Sequence, residues 1–153
     1  MNTDVIYYKL EILKRYVDRI KEKTPQKSIA FAQNLDVQDI LLMNVQRAVK
    51  MCVDISAYIL AHSNIPPPMT MKDAFYQLQM LEIITKETFE KMQQWVGFRN
   101  IAIHEYDDIN WETVFSILSN HMDDFRLFAK EVFQWLETKP DKEKLVYRWY
   151  GLL

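Results

Sequence analysis

Apolar residues recur along most of this chain at alternating steps of three and four, the period of one face of an α-helix. Ile6, Leu10, Leu13, Val17 and Ile20 make the first such stripe, and Pro25 ends it. A loop is expected from there to Asn34, with Asp36 as the N-cap of a second helix and Asp39 three residues further on. Leu41, Val45, Ala48, Cys52, Ile55 and Ile59 mark the inner face of that helix, which His62 and the Pro66-Pro67-Pro68 run stop. Thr70-Met71-Lys72-Asp73 reads as a capping box, with Asp for the usual Glu, opening a shorter helix through Phe75, Leu78 and Leu81. Thr85 caps the next, with Phe89, Met92 and Val96 inward. The polar run Asp107-Asp108-Ile109-Asn110 interrupts the pattern. Asn110 then caps one last long helix carrying Val114, Leu118, Met122, Phe125, Val132 and Leu136, which Pro140 closes. The pattern predicts an all-α, single-domain bundle of four to five helices over residues 1–138, followed by an aromatic tail over 139–153.

Composition narrows the function classes. A chain of 153 residues, 49% apolar, can bury a real core, and two glycines are too few for a turn-rich sheet or a Gly-rich phosphate loop. One cysteine, Cys52, excludes an internal disulfide framework and a multi-Cys zinc site; its place on an apolar stripe makes it core filler. The N-terminus lacks the basic and apolar regions of a signal peptide, and no apolar run approaches the roughly 20 residues that span a bilayer, so a cytoplasmic protein without membrane contact is expected. The net charge of -2 is not that of a nucleic-acid-binding polycation. The charge is uneven, however: residues 1–50 hold nine Lys/Arg against six Asp/Glu, and the rest holds ten against fifteen. That leaves either a basic surface on the N-terminal third or an ordinary solvated helix face.

Most candidate chemistry fails on inspection. His104-Glu105 begins like a zincin motif, but Asp108 stands where the second histidine belongs. His121 beside Asp123 and Asp124 lies near a core stripe and reads as a packed or half-exposed histidine; His62 suits a helix C-terminus. No metal and no cofactor are expected. What survives is Phe98-Arg99-Asn100-Ile101-Ala102-Ile103-His104-Glu105-Tyr106. A histidine can exchange a proton near neutral pH, and a guanidinium can grip a phosphate and stabilise charge building on it. RNA supplies its own nucleophile in the 2′-hydroxyl, so Arg and His suffice to cleave it. Spacing alone leaves a second reading open, a structural Arg–carboxylate pair with a capping histidine. On an ideal helix the five-residue step turns Arg99 and His104 about 140° apart, so they share a cleft only where the helix ends or distorts.

The Arg99-x4-His104-x-Tyr106 motif, late in an all-α chain and just before a final long helix, resembles the HEPN superfamily and within it the HepT toxins. Asn44-Val45-Gln46-Arg47 with Asp54-Ile55, and Lys91 to Phe98 leading into the motif, are similar to the same family. The resemblance covers residues 1–138 and leaves the tail out. It implies a metal-independent ribonuclease toxin of a toxin–antitoxin pair, with Arg99 and His104 catalytic and a homodimer forming the cleft. It further implies an MntA-like nucleotidyltransferase antitoxin that transfers AMP to Tyr106, and a substrate-orienting role for Asn100. Arg47 and Asp54, seven apart on one helix face, are candidates to support the cleft; a surface salt-bridge role is the alternative. Two rival readings stay open: a non-catalytic docking or substrate-binding subunit for a nucleotidyltransferase, and a helical adaptor.

Overall fold

The computed structural model describes residues 1–139, so all but the first residue of the expected aromatic tail lies outside the described residues. Among these the chain is entirely helical. Seven α-helices and one short 3-10 turn replace the four to five helices that periodicity predicts. The two differences have separate causes.

Helix α1 (Thr3–Lys23) buries Ile6, Leu10, Leu13, Val17 and Ile20 as expected. Asn2 caps it by accepting from the Asp4 amide at 3.0 Å, and Thr24 closes it by donating through both backbone and hydroxyl to the Ile20 carbonyl. The expected loop then contains α2 (Ser28–Ala32), only five residues long. A helix so short has little stability of its own. It is held by Phe31, fully buried and packed edge-to-face on Trp111 at 5.4 Å, a burial worth about 1.5–3 kcal/mol. Gln38 adds hydrogen bonds to the Phe31 and Ala32 carbonyls. The apolar run Ile29-Ala30-Phe31-Ala32 is too short to show a helical period, so no helix is legible there.

Helix α3 (Leu35–Ala61) has its cap two residues before the predicted one: Asn34, not Asp36, accepts from the Val37 amide at 3.1 Å. Asp36 sits in the first turn, where its charge suits the helix dipole. The pairing of α1 on α3 is the most extensive among the described residues. His62 caps the far end, its Nδ1 2.9 Å from the Tyr58 carbonyl. Cys52 is fully buried, and burial pushes its thiol well above the ordinary range, as a core residue requires.

Helix α4 (Met71–Met80) has the Thr70 cap, with the Asp73 carboxylate accepting from the Met69 amide. Helix α5 (Lys86–His104) follows, capped by Thr85. A 3-10 turn, Tyr106–Asp108, leads to Asn110, which caps α6 (Trp111–Asn120) through the Glu112 and Thr113 amides. The predicted last helix is then broken: α6 ends at His121, and α7 runs Asp123–Leu136. At the joint the Asp124 and Phe125 amides bond three residues back, to His121 and Met122. Leu118, Met122 and Phe125 stay buried across it, so one unbroken apolar stripe fits two helices as well as one.

Candidate functional site

The motif occupies the last turns of α5 and the 3-10 turn beyond it. His104 is the final residue of α5 and is exposed; the Glu105 amide closes the helix on the Ile101 carbonyl at 2.8 Å. The expected ending is therefore there, but it falls after His104, and α5 is regular between the two residues. Arg99 and His104 are thus separated by a rise of about 7.5 Å and a turn of about 140° on one helix. Within one chain they face different directions.

Arg99 is half-buried, and its Nε is fully buried with no hydrogen-bond partner among the described residues. Among the described residues it makes no ion pair either, so the Arg–carboxylate pair of the second reading is not formed there. A buried N–H left unpaired costs about 1–3 kcal/mol. Asn100, beside it, is exposed.

Tyr106 is 39% exposed, its ring edge-to-face on Trp111 at 6.0 Å. Its hydroxyl donates to Asp39 Oδ1 at 2.5 Å, tying the 3-10 turn to the first turns of α3. That hydrogen bond, then burial, then the negative charges of Asp39 and Asp107 raise the phenol above its ordinary range. The sequence pattern assigns Asp39 only a place in the first turns of a helix. Nothing in periodicity connects it to a tyrosine 67 positions away.

Arg47 and Asp54 both lie on α3 and make different contacts. Asp54 is bound by Lys50 at 3.2 Å, an ordinary i,i+4 ion pair. Arg47 is exposed and lines an open groove of about 550 Å³ between α1 and α3, together with Arg15, Tyr16, Arg19 and Asp39. Asp39 therefore stands where Tyr106 meets the groove. The signal for Arg15 and Arg19 is the basic excess of residues 1–50, which does not say where the charges gather.

Among the described residues no three His, Cys, Asp or Glu side chains cluster closely enough to hold a metal ion, and no helix is long and apolar enough to cross a membrane. His121 is exposed at the α6–α7 joint, while Asp124 is buried and accepts from Trp95 Nε1 at 3.0 Å.

The chain is 31% identical over 125 residues to the mRNA nuclease HepT of Shewanella oneidensis, spanning 82% of this chain and 93% of that protein. It is 27% identical over 138 residues to the tRNA nuclease HepT of Aphanizomenon flos-aquae, spanning 90% of this chain and 94% of that one. The solved structure of a tri-AMPylated Shewanella oneidensis HEPN toxin in complex with its MNT antitoxin superposes with a TM-score of 0.78 at 30% identity, over 86% of this chain and 98% of that chain. The sequence model of the family described as ribonuclease HepT-like matches residues 13–132, which include the whole of α5 and the motif, so the chain belongs to the HepT-like ribonuclease family.

Proposed function

We propose that this chain is a metal-independent endoribonuclease toxin whose chemistry resides in Arg99 and His104, and that an MntA-like nucleotidyltransferase antitoxin silences it by transferring AMP to Tyr106. The observation that carries the reading is the state of the motif. Its arginine has a buried, unpartnered Nε, and its histidine stands exposed at a helix end. The names of the relatives supply the reaction class: nucleases acting on mRNA in one case and tRNA in the other. Because these differ at similar identity, the proposed substrate is the bond common to both, the RNA phosphodiester.

In the proposed reaction an imidazole takes the proton of a 2′-hydroxyl, whose oxygen attacks the adjacent phosphorus. The bond from phosphorus to the 5′-oxygen breaks, and that oxygen is protonated as it leaves. The Arg99 guanidinium holds the phosphate and stabilises its developing charge. Asn100 orients the strand. Since one helix turns Arg99 and His104 apart, two protomers meeting at this end of the bundle complete the cleft, which makes a homodimer the active form. Silencing follows from position. The Tyr106 oxygen attacks the α-phosphorus of ATP, pyrophosphate leaves, and Asp39, 2.5 Å away, accepts the phenolic proton. The added phosphate places negative charge two residues from His104 and repels RNA.

The test combines activity and mass. The purified chain cleaves single-stranded RNA in the presence of a chelator and sediments as a dimer at micromolar concentration. Incubation with the neighbouring nucleotidyltransferase, ATP and magnesium adds mass in AMP units, and Tyr106→Phe abolishes the additions while the chain stays toxic. A monomer active on RNA, or additions persisting in Tyr106→Phe, would overturn the corresponding part.

A further inference from the structure

We infer that the groove between α1 and α3 is a track for single-stranded RNA, in which Arg15, Arg19 and Arg47 hold the phosphates of the strand leaving the Arg99/His104 site past Tyr106. The inference rests on the nuclease reading above and names a binding site outside the motif.

Charge distribution is the first support. Three lysines of α1 and α3, all outside the groove lining, pair with carboxylates: Lys14 with Asp18, Lys21 with Asp123 and Lys50 with Asp54. The three groove arginines are all exposed and make no ion pair among the described residues, with Asp39 the sole acidic residue in the lining. Arg15 and Arg19 stand four apart on one helix face, where like charges repel. The fold gains nothing from that placement, and an anion between α1 and α3 would offset it. Arginine also suits phosphate better than lysine does, because its planar fork makes two parallel hydrogen bonds.

Continuity is the second support. Asp39 lines the groove and accepts the hydroxyl proton of Tyr106, which follows His104 by two residues. The groove therefore opens where the cleavage site ends. From Asp39 to Arg47 the helix rises about 12 Å, long enough for a strand to be held at more than one phosphate. Tyr16, half-buried in the same lining, offers a ring on which an unpaired base can stack. The track also explains why Tyr106 is an effective place for a blocking nucleotide, since it stands at the junction of cleft and groove.

The experiment compares the full-length chain with Arg15→Ala/Arg19→Ala/Arg47→Ala. A control, Lys72→Ala/Lys86→Ala/Lys130→Ala, makes the same charge change at exposed sites outside the groove. All six positions are exposed on helices, and alanine keeps the helix. The probe is a single-stranded RNA oligonucleotide with 2′-O-methyl groups, which binds without being cut. Its affinity is measured across a salt series. For single strands each lost phosphate contact lowers the salt slope by about 0.7, so the groove variant is expected to lose about 2 and the control none. On cleavable RNA the groove variant raises KM on the order of tenfold while kcat at saturation stays within about twofold, as loss of uniform binding requires.

An unchanged slope and KM in the groove variant, or an equal loss in the control, overturns the track. So does a groove variant that binds RNA normally but is no longer modified by the nucleotidyltransferase, which would assign the groove to the protein partner. Should the wild type cut no RNA yet bind the 2′-O-methyl strand with a groove-dependent slope, the nuclease reading falls and the groove stands as an RNA site. If it neither cuts nor binds, both fall.

Discussion

At the N-terminal end of α5 the Glu131 carboxylate accepts from the Thr85 amide at 2.6 Å and from the Thr88 hydroxyl at 2.5 Å, and lies against the positive end of the helix dipole. One turn on, Lys91 bridges Glu87 and Asp124, and Asp124 also accepts from Trp95. At the C-terminal end Arg99 keeps a buried, unpartnered Nε, while Asn100 and His104 face solvent. The same helix thus completes its polar bonding where it meets α7 and leaves it open where the motif lies. Buried polar groups in a folded chain are nearly always paired, so the exception marks groups whose partner comes from outside. Polar residues at the closed end are bonded within the fold, and those at the open end are the ones proposed to carry the chemistry.

The largest expected effect is at the open end. Arg99→Ala and His104→Ala each lower RNA cleavage on the order of 10²–10⁴-fold. Neither variant is expected to unfold the chain: His104 is exposed, and Arg99→Ala removes the unpaired buried Nε–H together with the packing of its half-buried side chain, two effects of opposite sign. Denaturant unfolding beside initial rates checks both; a variant that unfolds while its folded fraction remains active would reverse the assignment.

Glu131→Ala tests the closed end. It strips the carboxylate from the Thr85 amide and from fully buried Thr88, at a cost of about 2–3 kcal/mol read from the unfolding midpoint. Cleavage per folded molecule is expected to stay unchanged. A fall in turnover without loss of stability would mean that the two ends of α5 are coupled.

A smaller effect concerns the bond that joins the open end to α3. The hydrogen bond to Asp39 leads the causes that hold Tyr106 above the ordinary tyrosine value of 10.0. In Asp39→Asn the phenol is therefore expected to titrate closer to that value. Because the folded value is the raised one, the stabilisation is complete below about pH 10 and is lost as pH rises through the folded value. Wild type accordingly loses more stability than Asp39→Asn in that alkaline window. Carbon-13 tyrosine titration, with Tyr106→Phe assigning the resonance, reads the shift; identical curves would deny the link.

Smallest is Gly97→Ala, at the boundary between the two ends. A Cβ there meets nothing within 4 Å, and glycine inside a helix costs about 0.5–1 kcal/mol relative to alanine, so the variant gains that much. If stability fell instead, and the dimer weakened with it, the protomer contact would lie on this face of α5.

Legibility in the sequence follows the range of the interaction. Caps at Thr70, Thr85 and Asn110 are readable because a cap involves residues two or three apart. The cap of α3 falls on Asn34 rather than on Asp36, two residues on, since both types cap well and only the backbone decides between them. The Arg99–His104–Tyr106 spacing is readable as a string, but its missing partners are not. Whether Arg99 meets a carboxylate depends on which helices come alongside it.

What the sequence by itself determined is the all-α class, the inward face of each long helix and the identity of the motif, because periodicity and residue chemistry are local properties of the chain. Only the tertiary structure decided that Phe31 packs an extra helix on Trp111 and that one apolar stripe is folded as two helices. It also decided that Asp39 reaches Tyr106 and that Arg15, Arg19 and Arg47 share one groove. The physical reason is common to these cases: each depends on side chains brought together by the packing of helices, and packing is a property of faces in three dimensions that no spacing along one chain encodes.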